Sequence, residues 1–193
     1  MGRIFYIIGK SASGKDHIFE KLIGREELGL ERMQLYTTRP RRNDQEKGYI
    51  FTDQEGLERW RKQGKVIEER VYQTIQGPWY YFTVDDGLLQ PSDHNYLGIG
   101  TLESFQSLCA CFGHESVCPI YIWTEDRELL LRAIQREEKR QKPDYAEVCR
   151  RFLADEKDFS LEKLNACGIT RGFENRDLDV CVEEIAVYIS GLL

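Results

Sequence analysis

An apolar, β-rich run at residues 3–8, RIFYII, passes directly into the glycine loop GKSASGK and then into a stretch with helical spacing. No other feature limits the fold as much. Ile18, Phe19, Leu22 and Ile23 share one helical face, and Gly24 suits the helix end. The expected unit is strand, loop, helix. Four residues separate Gly9 from Gly14, and Lys15 follows. In such a loop the backbone N–H groups of Gly9, Ser11, Ala12, Ser13, Gly14 and Lys15 turn inward onto phosphate oxygens. The helix dipole adds to them, and the Lys15 ammonium reaches the terminal phosphates. The spacing therefore predicts a nucleoside triphosphate site.

The next position normally carries a Ser or Thr hydroxyl on the metal, and this chain has Asp16. Two readings stand. Asp16 is a hard oxygen ligand for Mg²⁺, or it is a first-turn carboxylate interacting with helix N–H groups.

Further along, strands alternate with helices. Residues 54–64 and 102–112 have helical patterns, and 94–100 and 118–124 read as buried strands. Residues 65–73 and 79–84 look like two strands joined by a turn at Gln76-Gly77-Pro78. From Asp126 to about Phe159 the chain is charged and helical, with a break near Lys142-Pro143. Residues 168–174 form a weak strand candidate, and 178–193 an amphipathic helix. This alternation predicts an α/β fold with a parallel sheet covered on both faces. The patch at 35–85 interrupts it and reads as an inserted subdomain. The stretch 35–53 within it is Arg-rich and turn-rich.

Composition excludes other classes. A chain of 193 residues, 41% apolar and 31% charged, suits one soluble domain. Its net charge of −6 argues against a broad nucleic-acid surface. No run of about 18 apolar residues suggests a membrane span, and the N-terminus shows no signal-peptide cleavage pattern. The six Cys are not spaced as a disulfide framework, which points to reduced thiols and a cytoplasmic location. Cys109-x-Cys111 reads as two small buried helix residues rather than a metal site.

A second constellation narrows the acceptor. The run TTRPRR…E…GYIF contains Thr37, Thr38, Arg39, Arg42, Glu46, Gly48, Tyr49 and Phe51. It resembles the corresponding run of the guanylate kinase family. The segment KVIEE resembles the family's acidic strand and would make Glu68 the guanine-reading carboxylate. The segment WYYFT resembles the family's Tyr-Tyr-Gly-Thr/Ser stretch and would place Tyr81 and Thr83 on the nucleotide.

The resemblance implies a P-loop NTPase fold with an inserted mixed-sheet nucleoside-monophosphate subdomain at 34–86 and a helical lid at 134–150. The core would comprise 1–33, 87–133 and 151–193. It implies phosphorylation of GMP or dGMP by ATP, with Thr37, Arg39, Arg42, Tyr49, Glu68, Tyr81 and Thr83 around the acceptor. Two Arg forks suit a phosphate dianion, and a carboxylate suits the N1–H and 2-amino donors of guanine. The lid would bring Arg136, Arg140 and Arg151 to the transferring phosphate. Asn175, in GFENRD, resembles the loop cupping the adenine.

Four departures are visible: a shorter segment between Arg42 and Tyr49, Phe82 in place of the family's Gly, Gly98 and Gly100 in place of strand-end Asp residues, and Asp16. They leave room for a kinase of another monophosphate or small phosphorylated metabolite, or for a non-catalytic binding module. Small-molecule nucleotides are the expected partners, and monomer and homodimer both remain open.

Overall fold

The computed structural model describes residues 2–41, 46, 48–74 and 77–193. Strand β1 (Ile4–Gly9) is buried along its whole length and sits at the centre of a five-stranded parallel sheet. Its neighbours are β7 (Asn95–Ile99) and β8 (Val117–Trp123), with β2 (Leu30–Arg32) and β9 (Gly172–Glu174) at the edges. The order is β2-β7-β1-β8-β9.

Successive side chains of a strand point to opposite faces, and β1 therefore belongs to two cores. Phe5 and Ile7 pack with Ile18 and Leu22 of α1 (Lys15–Ile23) and with Ile185 and Ile189 of α7 (Leu178–Ser190). Ile4, Tyr6 and Ile8 pack with Phe105 and Leu108 of α3 (Leu102–Phe112) and with Leu164 of α6 (Leu161–Ala166). This double coverage explains why the run from Ile4 to Ile8 carries no polar alternation.

Residues between β2 and β7 form a second sheet of order β4-β3-β6-β5. Strand β3 (Leu35–Thr37) pairs in parallel with β4 (Tyr49–Phe51) and antiparallel with β6 (Gly77–Val84), which pairs antiparallel with β5 (Val66–Thr74). Helix α2 (Gln54–Lys62), capped by Asp53, covers it through Leu57. Phe82, which replaces a small residue of the family pattern, is fully buried here and stacks on Tyr36 with ring centroids 5.4 Å apart. Leu57, Phe82 and Val84 form the centre of this small core.

The break expected near Lys142-Pro143 separates α4 (Asp126–Glu138) from α5 (Tyr145–Asp158). Asp144 caps α5 by accepting from the Glu147 N–H at 3.0 Å.

Several expectations need correction. Of the turn read at Gln76-Gly77-Pro78, Gln76 lies outside the described residues, while Gly77 and Pro78 are strand residues that pair with Thr74 and Gln73. The polar stretch 35–53 contributes two short strands, while β2 and α6 carry too few residues for a periodic signal. The last strand is shorter than 168–174. Cys109 is buried but Cys111 is exposed, one on each side of α3. No helix among the described residues is long and apolar enough to cross a membrane.

Candidate functional site

The loop after β1 wraps back to the start of α1. Gly14 takes φ +90°, and a Cβ there would lie 2.2 Å from the Asn175 side-chain nitrogen. Glycine is required on both counts. The buried Asn175 Nδ2 donates to Ser13 O at 2.7 Å, and the Asn175 backbone carbonyl accepts from Arg132 Nη2 at 3.1 Å. Asn175 therefore braces the loop from below, and its amide nitrogen is already engaged. Ala12 adopts φ +64°, a strained value for a residue with a side chain.

Lys15 Nζ donates to Gly9 O and Lys10 O, each at 2.7 Å. Burial lowers its pKa from the usual 10.5 to about 8; the charges of Asp16 and Asp155 oppose the shift and Arg136 adds to it. The Ser11 N–H donates to the carboxylate of Asp155, on α5, at 2.6 Å. Lys10 is ion-paired with Asp126 on α4 at 2.9 Å and with Glu156 on α5. The loop is thus tied to both helices that follow β8.

Asp16 is exposed in the first turn of α1 and borders the main cleft beside Lys15. Among the described residues its carboxylate takes part in no hydrogen bond, and no cluster of three or more His, Cys, Asp or Glu is placed to hold a metal. One free carboxylate beside a phosphate loop fits Mg²⁺, which usually takes one or two carboxylates and completes its shell with phosphate and water.

The arginines expected at the lid occupy different settings. Arg136 borders a small cavity with Ser11, Arg140, Arg151 and Asp155. Arg140 lies beyond the end of α4, so it does not share a helical face with Arg132 and Arg136; it pairs with Glu137 at 3.0 Å. Arg132 instead turns to Glu128 and Asn175. Arg151 Nε donates to Glu147 at 2.6 Å, and Arg150 and Arg151 together hold the Glu147 carboxyl at about 2.

A cleft of about 1130 Å³ runs from the loop to the second sheet, bordered by Lys15, Asp16, Tyr49, Arg70, Tyr81 and Arg151 among others. Across it, Thr37 is buried, donating to Tyr80 O and accepting from the Arg39 N–H. The Arg39 guanidinium is also buried: its terminal nitrogens meet Glu46, and Tyr49 and Phe51 lie against it at 5.5 and 5.4 Å. Arg42 lies outside the described residues. Tyr49 meets Tyr81 edge-to-face at 5.7 Å.

The acidic pair on β5 separates by strand alternation. Glu68 faces inward, accepting from Thr83 Oγ1 and Ser104 Oγ at 3.0 Å each, while Glu69 faces out to Arg61. Sequence reasoning missed Arg70, Tyr6, Ser104 and Asp155. Arg70 was open to discovery, since it stands two residues after Glu68 on the same strand face. Tyr6 gave no such signal.

Gly98 and Gly100 have a direct structural reason. Tyr6 pairs with Gly98 in the sheet, and a Cβ at Gly98 would meet its ring at 2.5 Å. At Gly100 a Cβ would meet the Tyr6 hydroxyl oxygen at 2.1 Å. Tyr6 fills the space above both positions, so neither can carry a carboxylate with the ring in place.

No protein-family model and no curated protein matches this sequence. In fold the chain is similar to the guanylate kinase from Anaplasma phagocytophilum, with a TM-score of 0.60 over 98% of this chain and 85% of that one, at 18% identity. The chain has the α/β P-loop architecture of that structure, a parallel sheet flanked by helices with a separate mixed sheet.

Proposed function

We propose that this protein is a nucleoside monophosphate kinase that moves the γ-phosphoryl group of ATP to GMP or dGMP. The observation that carries the reading is the cleft itself: a phosphate loop with a half-buried Lys15 faces an aromatic-walled sheet across one continuous space. A donor phosphate on the loop and an acceptor against the second sheet would share that space.

In this reading residues 34–86 hold the acceptor and 134–150 close over the phosphates. The loop N–H groups and Lys15 hold the β- and γ-phosphates. Asp16 holds Mg²⁺, which neutralises phosphate charge when bound. Arg136, Arg140 and Arg151 approach the transferring group once ATP draws the two arms together, and closure excludes water from it. Phosphoryl transfer needs positioning and charge neutralisation more than covalent chemistry, which suits a site rich in Arg. Tyr49 and Tyr81 supply flat walls for a base.

A second reading keeps the donor site and changes the acceptor to another monophosphate or a small phosphorylated metabolite. It is favoured by Arg39, whose fork is already taken by Glu46.

The deciding experiment measures ADP formation from Mg-ATP with GMP, dGMP, AMP, UMP and CMP offered singly, with Lys15→Ala as control. Turnover confined to GMP and dGMP is expected. Turnover of none of them, despite ATP binding, would remove the proposal and move the search to other acceptors.

A further inference from the structure

On the inner face of β5, Glu68 and Arg70 are successive inward residues, paired across the sheet with Thr83 and Tyr81. They are not equally placed. The Glu68 side chain is 4% exposed and the Arg70 side chain 22%. Arg70 borders the cleft, and Glu68 lies beneath it. Both Glu68 oxygens already accept: Oε1 from Thr83, and Oε2 from Ser104, with Arg70 Nε 3.3 Å from that same oxygen. A carboxylate offers about four lone-pair sites; two of these take hydrogen bonds, and the Arg70 Nε contact is an ion pair without hydrogen-bond geometry. Below them the Tyr6 hydroxyl is fully buried, with no hydrogen-bond partner among the described residues, and closes the floor.

Arg70 is in the opposite state. Its Nε is buried toward Glu68, and no hydrogen bond among the described residues ends on Nη1 or Nη2. Tyr72, Trp79 and Tyr81 border the same part of the cleft, with Tyr72 edge-on to Tyr81 at 5.4 Å. The cleft therefore presents a donor fork between aromatic walls, held in orientation by a carboxylate behind it.

We propose that Arg70, positioned by Glu68, reads the acceptor base, and that the acceptor is a 6-oxopurine monophosphate recognised at O6 and N7. This inference rests on the kinase reading above. A guanidinium fork matches two adjacent acceptors, and O6 with N7 of a 6-oxopurine is such a pair. Adenine sets its N6 amino donor against the same fork, leaving donors facing each other in a desolvated place. The 2-position is not read by the fork, so hypoxanthine serves as well as guanine. A site read by Glu68 would behave differently, because the carboxylate needs N1–H and the 2-amino group together.

The test is calorimetric binding of GMP, IMP, 7-deaza-GMP and AMP to the whole protein, with ADP formation from Mg-ATP followed in parallel. IMP should bind within about threefold of GMP, while 7-deaza-GMP and AMP bind at least about tenfold more weakly. Arg70→Lys keeps a positive charge beside Glu68 but loses the fork, and should bring GMP and 7-deaza-GMP to equal affinity. The ligand series on the unaltered protein stands without the variant. IMP binding about tenfold weaker than GMP, with 7-deaza-GMP unchanged, would overturn the inference and return the role to Glu68. Absence of binding by all four would overturn both the inference and the kinase reading. The expected selectivity without ADP formation would support the inference and remove only the kinase reading.

Discussion

The carboxylate of Asp155 accepts a 2.6 Å hydrogen bond from the backbone N–H of Ser11, within the loop that would cradle phosphate. A carboxylate there competes with a phosphate oxygen for the same donor and repels it by charge. Asp155→Ala removes both effects, while Lys10 keeps its ties to Asp126 and Glu156. Affinity for Mg-ATP should rise about tenfold, the equivalent of one charge-assisted hydrogen bond near 1.4 kcal/mol. Titration calorimetry reads this directly. Weaker binding in the variant would mean that Asp155 helps to hold the ligand.

Lys15 gives a proton signature. Burial lowers its pKa to about 8 from 10.5. Between those two values the unfolded chain keeps a proton that the folded chain has lost, so this group makes stability rise with pH across that window. Phosphate oxygens beside the amine favour its charged form. Binding of Mg-ATP at pH 8 should then take up roughly half a proton. Calorimetry in buffers of different ionisation enthalpy measures it, and Lys15→Met should abolish it. No uptake by the unaltered protein would contradict the lowered pKa.

Gly14 and Asn175 are coupled through a single contact. Gly14→Ala places a methyl group 2.2 Å from the Asn175 nitrogen and also forces a left-handed φ on alanine. The first cost disappears in an Asn175→Ala background, and the second does not. Gly14→Ala should cost about 2–3 kcal/mol alone and about 1 kcal/mol in that background. A denaturant double-mutant cycle tests this; additive costs would mean that the two residues are not in contact.

Much of this was legible in the sequence, for reasons specific to each part. The strand–loop–helix unit declares itself because glycine positions, lysine and helical periodicity all fall within residues 4–23. The parallel sheet was legible because β1, β7 and β8 are continuous apolar runs. The small strands β2, β3 and β4 were not, since three residues carry no period. That Glu68 faces inward and Glu69 outward is set by the register against β6, which is a tertiary property. Gly98 and Gly100 looked like lost carboxylates, whereas they follow from a tyrosine on the neighbouring strand, some ninety residues earlier in the chain.

That strand contact is itself testable. The Tyr6 hydroxyl is buried with no hydrogen-bond partner among the described residues, and burial raises its pKa well above the ordinary phenol value. Removing a polar group that has no partner costs little, so Tyr6→Phe should be neutral or stabilising by up to about 1 kcal/mol. Gly100→Ala should cost about 1–3 kcal/mol through overpacking against that oxygen. The cost should shrink in the Tyr6→Phe background, because the hydroxyl is the nearest atom. Chemical denaturation of the four proteins decides it. An equal cost in both backgrounds would place the obstruction elsewhere.

Asp16 separates two roles that the sequence left level. A first-turn carboxylate serving α1 would meet backbone N–H groups, and no hydrogen bond of that kind is present among the described residues. What remains is the dipole interaction of an exposed charge, worth about 0.5 kcal/mol. The same carboxylate borders the cleft beside Lys15, where a hard cation would stand between it and phosphate. Asp16→Ala should therefore leave stability within about 0.5 kcal/mol while raising the Mg²⁺ concentration needed for ATP binding by about tenfold. A fluorescent ATP analogue titrated at stepped Mg²⁺ concentrations measures the second quantity, and urea denaturation the first. Unchanged Mg²⁺ dependence would remove the metal role. A stability loss well above 1 kcal/mol would return Asp16 to the helix.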